Sequence, residues 1–264
     1  MKRIIFSLFV FCVTAGLYAQ QQDTAVFQRK TFVDGSRSLL YRVMYPKNFN
    51  PKKKYPLVVF LHGSGERGND NAKQLKNGGQ WLVDNLYEKH PAIVIAPQCP
   101  ESDYWAHVKR VVLPKGSPMY LDFTFYKDSV ATESLSLVMG LIREYEKTTK
   151  IDNKREYVCG LSMGGMGTYE LLARQPKKFA AAFIICGAVN LDWFAEHNKK
   201  TPLWLFHGAV DQVVNVNYAR EAYQRLNDGK REIKYTEYPG VNHDSWNKVF
   251  QEPGVFDWLF SHKK

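Results

Sequence analysis

The sequence predicts an α/β fold: a mostly parallel sheet with helices on both faces and an antiparallel N-terminal edge. Three observations carry this prediction. Continuous apolar runs at 57–61 and 92–96 read as strands buried on both faces. Helical patterns alternate with such runs along most of the chain. A glycine-serine turn at 160–164 joins a strand-like run to a helix-like one.

Taken in order, strands are expected at 26–33 and 39–45, joined at Asp34-Gly35, a strong hairpin signal. Turn residues at 46–56 lead into the strand at 57–61. A glycine- and asparagine-rich loop over 63–79 precedes a helix at 80–89, where Trp81, Leu82 and Leu86 have helical spacing. The strand at 92–96 follows. Residues 101–127 break the rhythm: Tyr104, Trp105, Tyr120, Phe123, Phe125 and Tyr126 are interspersed with Pro114, Gly116 and Pro118. This segment reads as a long, aromatic, ordered loop. An amphipathic helix is expected over 128–150, capped by Asp128 or Ser129. A strand at 155–159 leads into the turn, and a helix over 165–174 is ended by Pro176. Strands at 180–186, 202–206 and 232–238 follow, with a helix at 217–227 between the last two. A helix at Val255–Ser261 closes the chain.

The first residues have the pattern of a secretory signal: Lys2 and Arg3, an apolar run over 4–17, then Ala19-Gln20. Cleavage there leaves a single domain over 20–264, exported to the periplasm or beyond the cell. The apolar run falls short of the roughly 20 residues that span a bilayer, so no stable membrane anchor is expected. Cys12 follows the bulky pair Val10-Phe11, which does not suit lipid attachment. The net charge of +10 is spread along the chain. Its densest cluster, Lys52-Lys53-Lys54, lies between Pro51 and Pro56 and reads as a solvated loop. No basic stripe with interleaved aromatics is present, so nucleic acid is not an expected partner. Beyond the signal, Cys99, Cys159 and Cys186 are odd in number and lack metal-ligand spacing. They read as buried free thiols, with a Cys159–Cys186 disulfide as the alternative.

Gly160-Leu161-Ser162-Met163-Gly164 fits the G-x-S-x-G nucleophile turn, in its required strand–turn–helix context. Such a serine needs a base, and the base needs an orienting acid. His207-Gly208-Ala209-Val210-Asp211 follows the strand at 202–206, and Asn242-His243-Asp244 follows the strand at 232–238. In a parallel sheet all three loops emerge at the carboxyl ends of their strands, so Ser162, Asp211 and His243 can converge. The oxyanion donors are expected to be the N–H groups of Met163 and Ser64, with Gly63 as the alternative to Ser64. Ser64 lies in His62-Gly63-Ser64-Gly65-Glu66-Arg67-Gly68. There His62 is expected to be structural, and Glu66 and Arg67 are expected to pair. Asp192 and Asp244 are rival acids.

With these motifs the chain resembles the α/β-hydrolase superfamily. More narrowly, it resembles secreted bacterial esterases and peptidase-like proteins near the phospholipase/carboxylesterase, dienelactone hydrolase and prolyl-oligopeptidase groups. The order serine, acid, histidine is that of α/β-hydrolases. The resemblance implies a serine esterase with no metal and no organic cofactor. It also implies a small-molecule or polysaccharide-linked ester as substrate, with feruloyl or acetyl groups as candidates. Trp81, Trp105 and Trp246 are expected to wall the substrate site. A peptidase of prolyl-oligopeptidase-like type is the alternative enzyme, and a non-catalytic binding protein on the same fold is the alternative of another class.

Overall fold

A computed structural model describes residues 24–127 and 130–264. The expected signal segment 1–19, with Cys12, and the expected caps Asp128 and Ser129 lie outside the described residues. Strands β1 (Gln28–Asp34) and β2 (Arg37–Met44) form the expected antiparallel hairpin, with Phe32 opposite Leu39. Strands β3 (Tyr55–Leu61) and β4 (Ile93–Pro97) pair parallel, and β2 runs antiparallel to β4.

Two further strands, β5 (Val108–Val112) and β6 (Leu121–Phe125), form a separate antiparallel pair within the segment expected to be loop. Their outward residues are exposed, so the sequence there lacks the apolar run of a buried strand. Strands β7 (Ile151–Leu161), β8 (Ala181–Ile185), β9 (Leu203–Gly208) and β10 (Ile233–Tyr238) then extend the main sheet in parallel. Its order among the described residues is β1-β2-β4-β3-β7-β8-β9-β10.

The pleat sends alternate residues to opposite faces. Leu57, Val59 and Leu61 join one core layer, while Val58 and Phe60 join the other. Helix α1 (Gly79–Leu86) packs Trp81, Leu82 and Leu86 onto the second layer. Helix α2 (Glu133–Thr148) covers the first layer with Leu135, Val138 and Leu141. Its cap is Thr132, whose hydroxyl accepts from the N–H of Leu135, several residues after the expected start. Helices α3 (Met163–Arg174), α4 (Leu191–His197) and α5 (Asn217–Leu226) complete the first layer. The short α6 (Trp246–Val249) and α7 (Val255–Ser261) lie on the second. Helix α4 was not expected from periodicity. Asn190 starts it by accepting from the N–H of Trp193.

The topology fixes where a site can form. From β3 the sheet continues to β4 on one side, and from β7 it continues to β8 on the other. The neighbours β3 and β7 therefore flank a switch point, where a crevice opens beyond the carboxyl ends of the strands. The loops after β3 and β7 are those carrying Ser64 and Ser162. Cys99, Cys159 and Cys186 are buried free thiols, and no Cys159–Cys186 disulfide is formed.

Candidate active site

Ser162 occupies the turn between β7 and α3 with φ 53° and ψ −117°, a strained conformation for a residue with a side chain. The surroundings hold it there. Its N–H donates to the carbonyl of Ile185, and its carbonyl accepts from the N–H of Met166. A Cβ on Gly164 would lie 1.9 Å from the carbonyl oxygen of Leu61, so this position must be glycine for α3 to start against β3. The turn leaves Ser162 largely buried, at 7% exposed.

The other two loops meet it. Oγ of Ser162 is 2.8 Å from Nε2 of His243, and Nδ1 of His243 is 2.8 Å from Oδ2 of Asp211. A Cβ on Gly208 would lie 2.3 Å from the carbonyl oxygen of Asn242, so glycine lets the acid loop and the histidine loop touch. Oδ1 of Asp211 accepts from the N–H groups of Val213 and Val214. Burial alone would raise the Asp211 carboxyl. Donors from His207, His243 and the backbone outweigh that and hold it well below the usual carboxylate range. With Nδ1–H donating to a charged carboxylate, Nε2 is the nitrogen free to accept the serine proton.

The rival acids stand elsewhere. Asp192 is exposed in the first turn of α4, and Asp244 is exposed and bonded to Asn247.

His207 is the contributor that sequence reasoning missed. It is fully buried, with Nε2 2.8 Å from the carbonyl of Val214 and 3.2 Å from Oδ2 of Asp211. Both neighbours are acceptors, so Nε2 carries the proton, and the buried Nδ1 has no partner. Its spacing of four residues from Asp211, at the end of an apolar strand, was the available signal.

The loop after β3 begins as a 3-10 turn at Ser64–Glu66. The N–H of Ser64 heads this turn and that of Met163 heads α3, positions at which a helix supplies no internal acceptor. Gly63 abuts the serine turn, since a Cβ there would sit 2.9 Å from Cδ1 of Leu161. His62 is structural, as expected. Its Nε2 accepts from the N–H of Cys99, and Nδ1–H donates to the carbonyl of Gly63. Burial lowers its pKa to about 4, so the ring is neutral. The expected Glu66–Arg67 pair is replaced by separate bracing contacts. Glu66 accepts from Asn77, while Arg67 donates to the carbonyls of Ser64, Glu101 and Asp103. The loops after β3 and β4 are thereby tied together by hydrogen bonds of Arg67 to main-chain carbonyls.

Two of the three expected wall residues are corrected. Trp105 is fully buried and donates from Nε1 to the carbonyl of His62, so it supports the loop from beneath. Trp81 packs among Phe183, Phe250 and Phe256 under α1 and α7. Large rings with apolar neighbours on several sides gain more from burial than from a place on the rim. Trp246 does sit at the site, edge-on to the ring of His243 with centroids 5.5 Å apart.

Cys186 lies behind the triad, with Sγ within 4.8 Å of ligand atoms of Asp211 and His243. Burial pushes its thiol far above the ordinary range, and a protonated thiol is a poor nucleophile and a poor metal ligand. The reactive hydroxyl is therefore that of Ser162. The geometry can accept a proton from Ser162, store it on His243 and return it to a leaving group.

Comparison with known proteins gives the same direction. The phospholipase/carboxylesterase family model matches residues 48–256. The carboxylesterase SOBER1 of Arabidopsis thaliana is 25% identical over 201 residues, spanning 72% of this chain and 84% of that protein. A bifunctional acetylxylan esterase/xylanase of Neocallimastix patriciarum is 34% identical over 173 residues, 66% of this chain and 21% of that much longer protein. Among solved structures, a thermostable esterase superposes with a TM-score of 0.75 at 34% identity, covering 91% of this chain and 64% of that one. The chain belongs to the phospholipase/carboxylesterase family of α/β-hydrolases.

Proposed function

We propose that this carboxylic-ester hydrolase works through an acyl-enzyme on Ser162 and that its substrates are acyl groups esterified to a polysaccharide. The hydrogen-bonded chain Ser162–His243–Asp211, with 2.8 Å at both contacts, carries the proposal. Oγ of Ser162 attacks the acyl carbonyl while Nε2 of His243 takes its proton. Asp211 fixes the imidazole and stabilises its charged form. The N–H groups of Met163 and Ser64 receive the developing oxyanion. His243 then protonates the departing alcohol, and water, deprotonated by His243, releases the acid.

Two features support the substrate class. The 34% identical relative acts on acetylxylan by its name. Tyr120 and Tyr126, 57% and 44% exposed, flank β6. Tyr120 reaches the acid loop, its N–H donating to the carbonyl of Gln212. Exposed rings on a hairpin that meets the acid loop suit the stacking of sugar faces or of an aromatic acyl group. The segment 1–19 supports export, where such polymers are met.

The test compares acetylated xylan, a feruloylated sugar, a simple aryl acetate and a peptide amide on the purified protein. The proposal expects kcat/KM to be at least tenfold higher for a sugar ester than for the aryl acetate, with negligible amide cleavage. Preference for the amide would favour the peptidase reading, and hydrolysis of none of the four would favour a binding protein.

A further inference from the structure

A second cavity lies at the opposite edge of the sheet from the catalytic loops. Arg231 is nine-tenths buried just before β10 and lines a cavity of about 520 Å³ together with Lys199, Arg225, Asp228 and Lys230. Lys199 follows α4, Arg225 is in the last turn of α5, and the loop after α5 supplies the rest. Helix ends of this kind meet the amino ends of the parallel strands, so the cavity lies about one strand length, roughly 20 Å, from the catalytic rim.

The charges in this cavity are not balanced by the protein. Four cationic side chains face one carboxylate, and Asp228 is already paired with Lys230 at 3.0 Å. Lys199 and Arg225 make no ion pair among the described residues. Arg231 donates from Nη1 and Nη2 to the side-chain and main-chain oxygens of Asn198, both neutral acceptors. Its Nε–H is buried without a partner. Arginine does not shed its charge to escape burial; Asp228 and the ring of Phe194 offset it in part, and a bound anion would complete the balance. The lining offers one buried guanidinium with an unpartnered Nε–H and three exposed cations, Lys199, Arg225 and Lys230. That combination matches an anion with several oxygens, bonded by the Nε–H of Arg231 and neutralised by the exposed cations.

We infer that this cavity binds a tetrahedral oxyanion of the phosphate or sulfate class, free or carried as a monoester. The site is independent of the triad, and its test reads binding rather than turnover. The full chain is titrated calorimetrically with inorganic phosphate, with glucose 6-phosphate and with chloride at matched ionic strength. Phosphate is expected to bind at millimolar concentration or below with one site per chain, and chloride to give no saturable heat. Binding of glucose 6-phosphate within threefold of phosphate assigns the site to monoesters, and binding more than tenfold weaker assigns it to the free ion. Arg231→Gln is expected to weaken phosphate binding more than tenfold while ester hydrolysis at the distant rim is retained. Should Arg231→Gln fail to fold, Lys199→Gln/Arg225→Gln, which alters only exposed side chains, is expected to weaken phosphate binding about tenfold. Absence of saturable phosphate binding, or an affinity unchanged in the double variant, overturns the inference.

Discussion

Nε2 of His207 lies 3.2 Å from Oδ2 of Asp211, the oxygen that also accepts from His243. The acid thus faces two imidazoles, one that shuttles the proton in the reaction and one that is a buried, fixed donor. Removing the second donor makes the carboxylate more basic and strengthens its hold on the His243 imidazolium. His207→Phe is expected to move the acid limb of the kcat/KM profile up by about half a pH unit, near 0.7 kcal/mol, and to lower kcat/KM roughly tenfold. His207→Gln, which keeps a donor, should restore much of both. A loss of activity with an unmoved limb would mean that His207 only packs.

His62 makes a distinct pH prediction. Its ring is neutral in the fold with a pKa of about 4, against about 6.5 for an exposed histidine. Above pH 6.5 both states are neutral and the group contributes nothing. Below it the unfolded chain binds a proton that the native ring refuses, so stability falls until about pH 4. The full loss is roughly 3 kcal/mol. Urea unfolding between pH 7 and 4 should show a weaker pH dependence in His62→Gln than in the wild type. Equal slopes would mean that the buried ring is protonated in the fold.

The tryptophans separate support from site. Trp105→Ala should cost about 3–5 kcal/mol of stability, since it empties a fully buried position. Trp246→Ala should cost under about 1 kcal/mol but raise KM for aryl esters, because this ring adjoins His243 at the half-buried rim. Thermal melts and steady-state kinetics on both variants check the division. A raised KM with no loss of stability in Trp105→Ala would restore it to the substrate wall.

Much of this was legible in the chain, for identifiable reasons. Parallel strands buried on both faces leave unbroken apolar runs, so β3, β4 and β8 stood out. The catalytic loops follow such strands, so their convergence follows from strand polarity alone. The β5–β6 hairpin was not legible because Lys109 and Arg110 face solvent and break the apolar run. The start of α2 was misplaced because Thr132, not an earlier polar residue, meets the free N–H of Leu135. Trp81 and Trp105 were misassigned because composition shows a ring but not its neighbours. The role of His207 depends on a contact across a turn that spacing alone leaves open.

The most direct measurement is ester turnover by purified Ser162→Ala, checked for folding by its melting temperature. The account predicts a fall in kcat on the order of 10⁶-fold, as for loss of the nucleophile in other serine triads. Turnover near that of the wild type would contradict it.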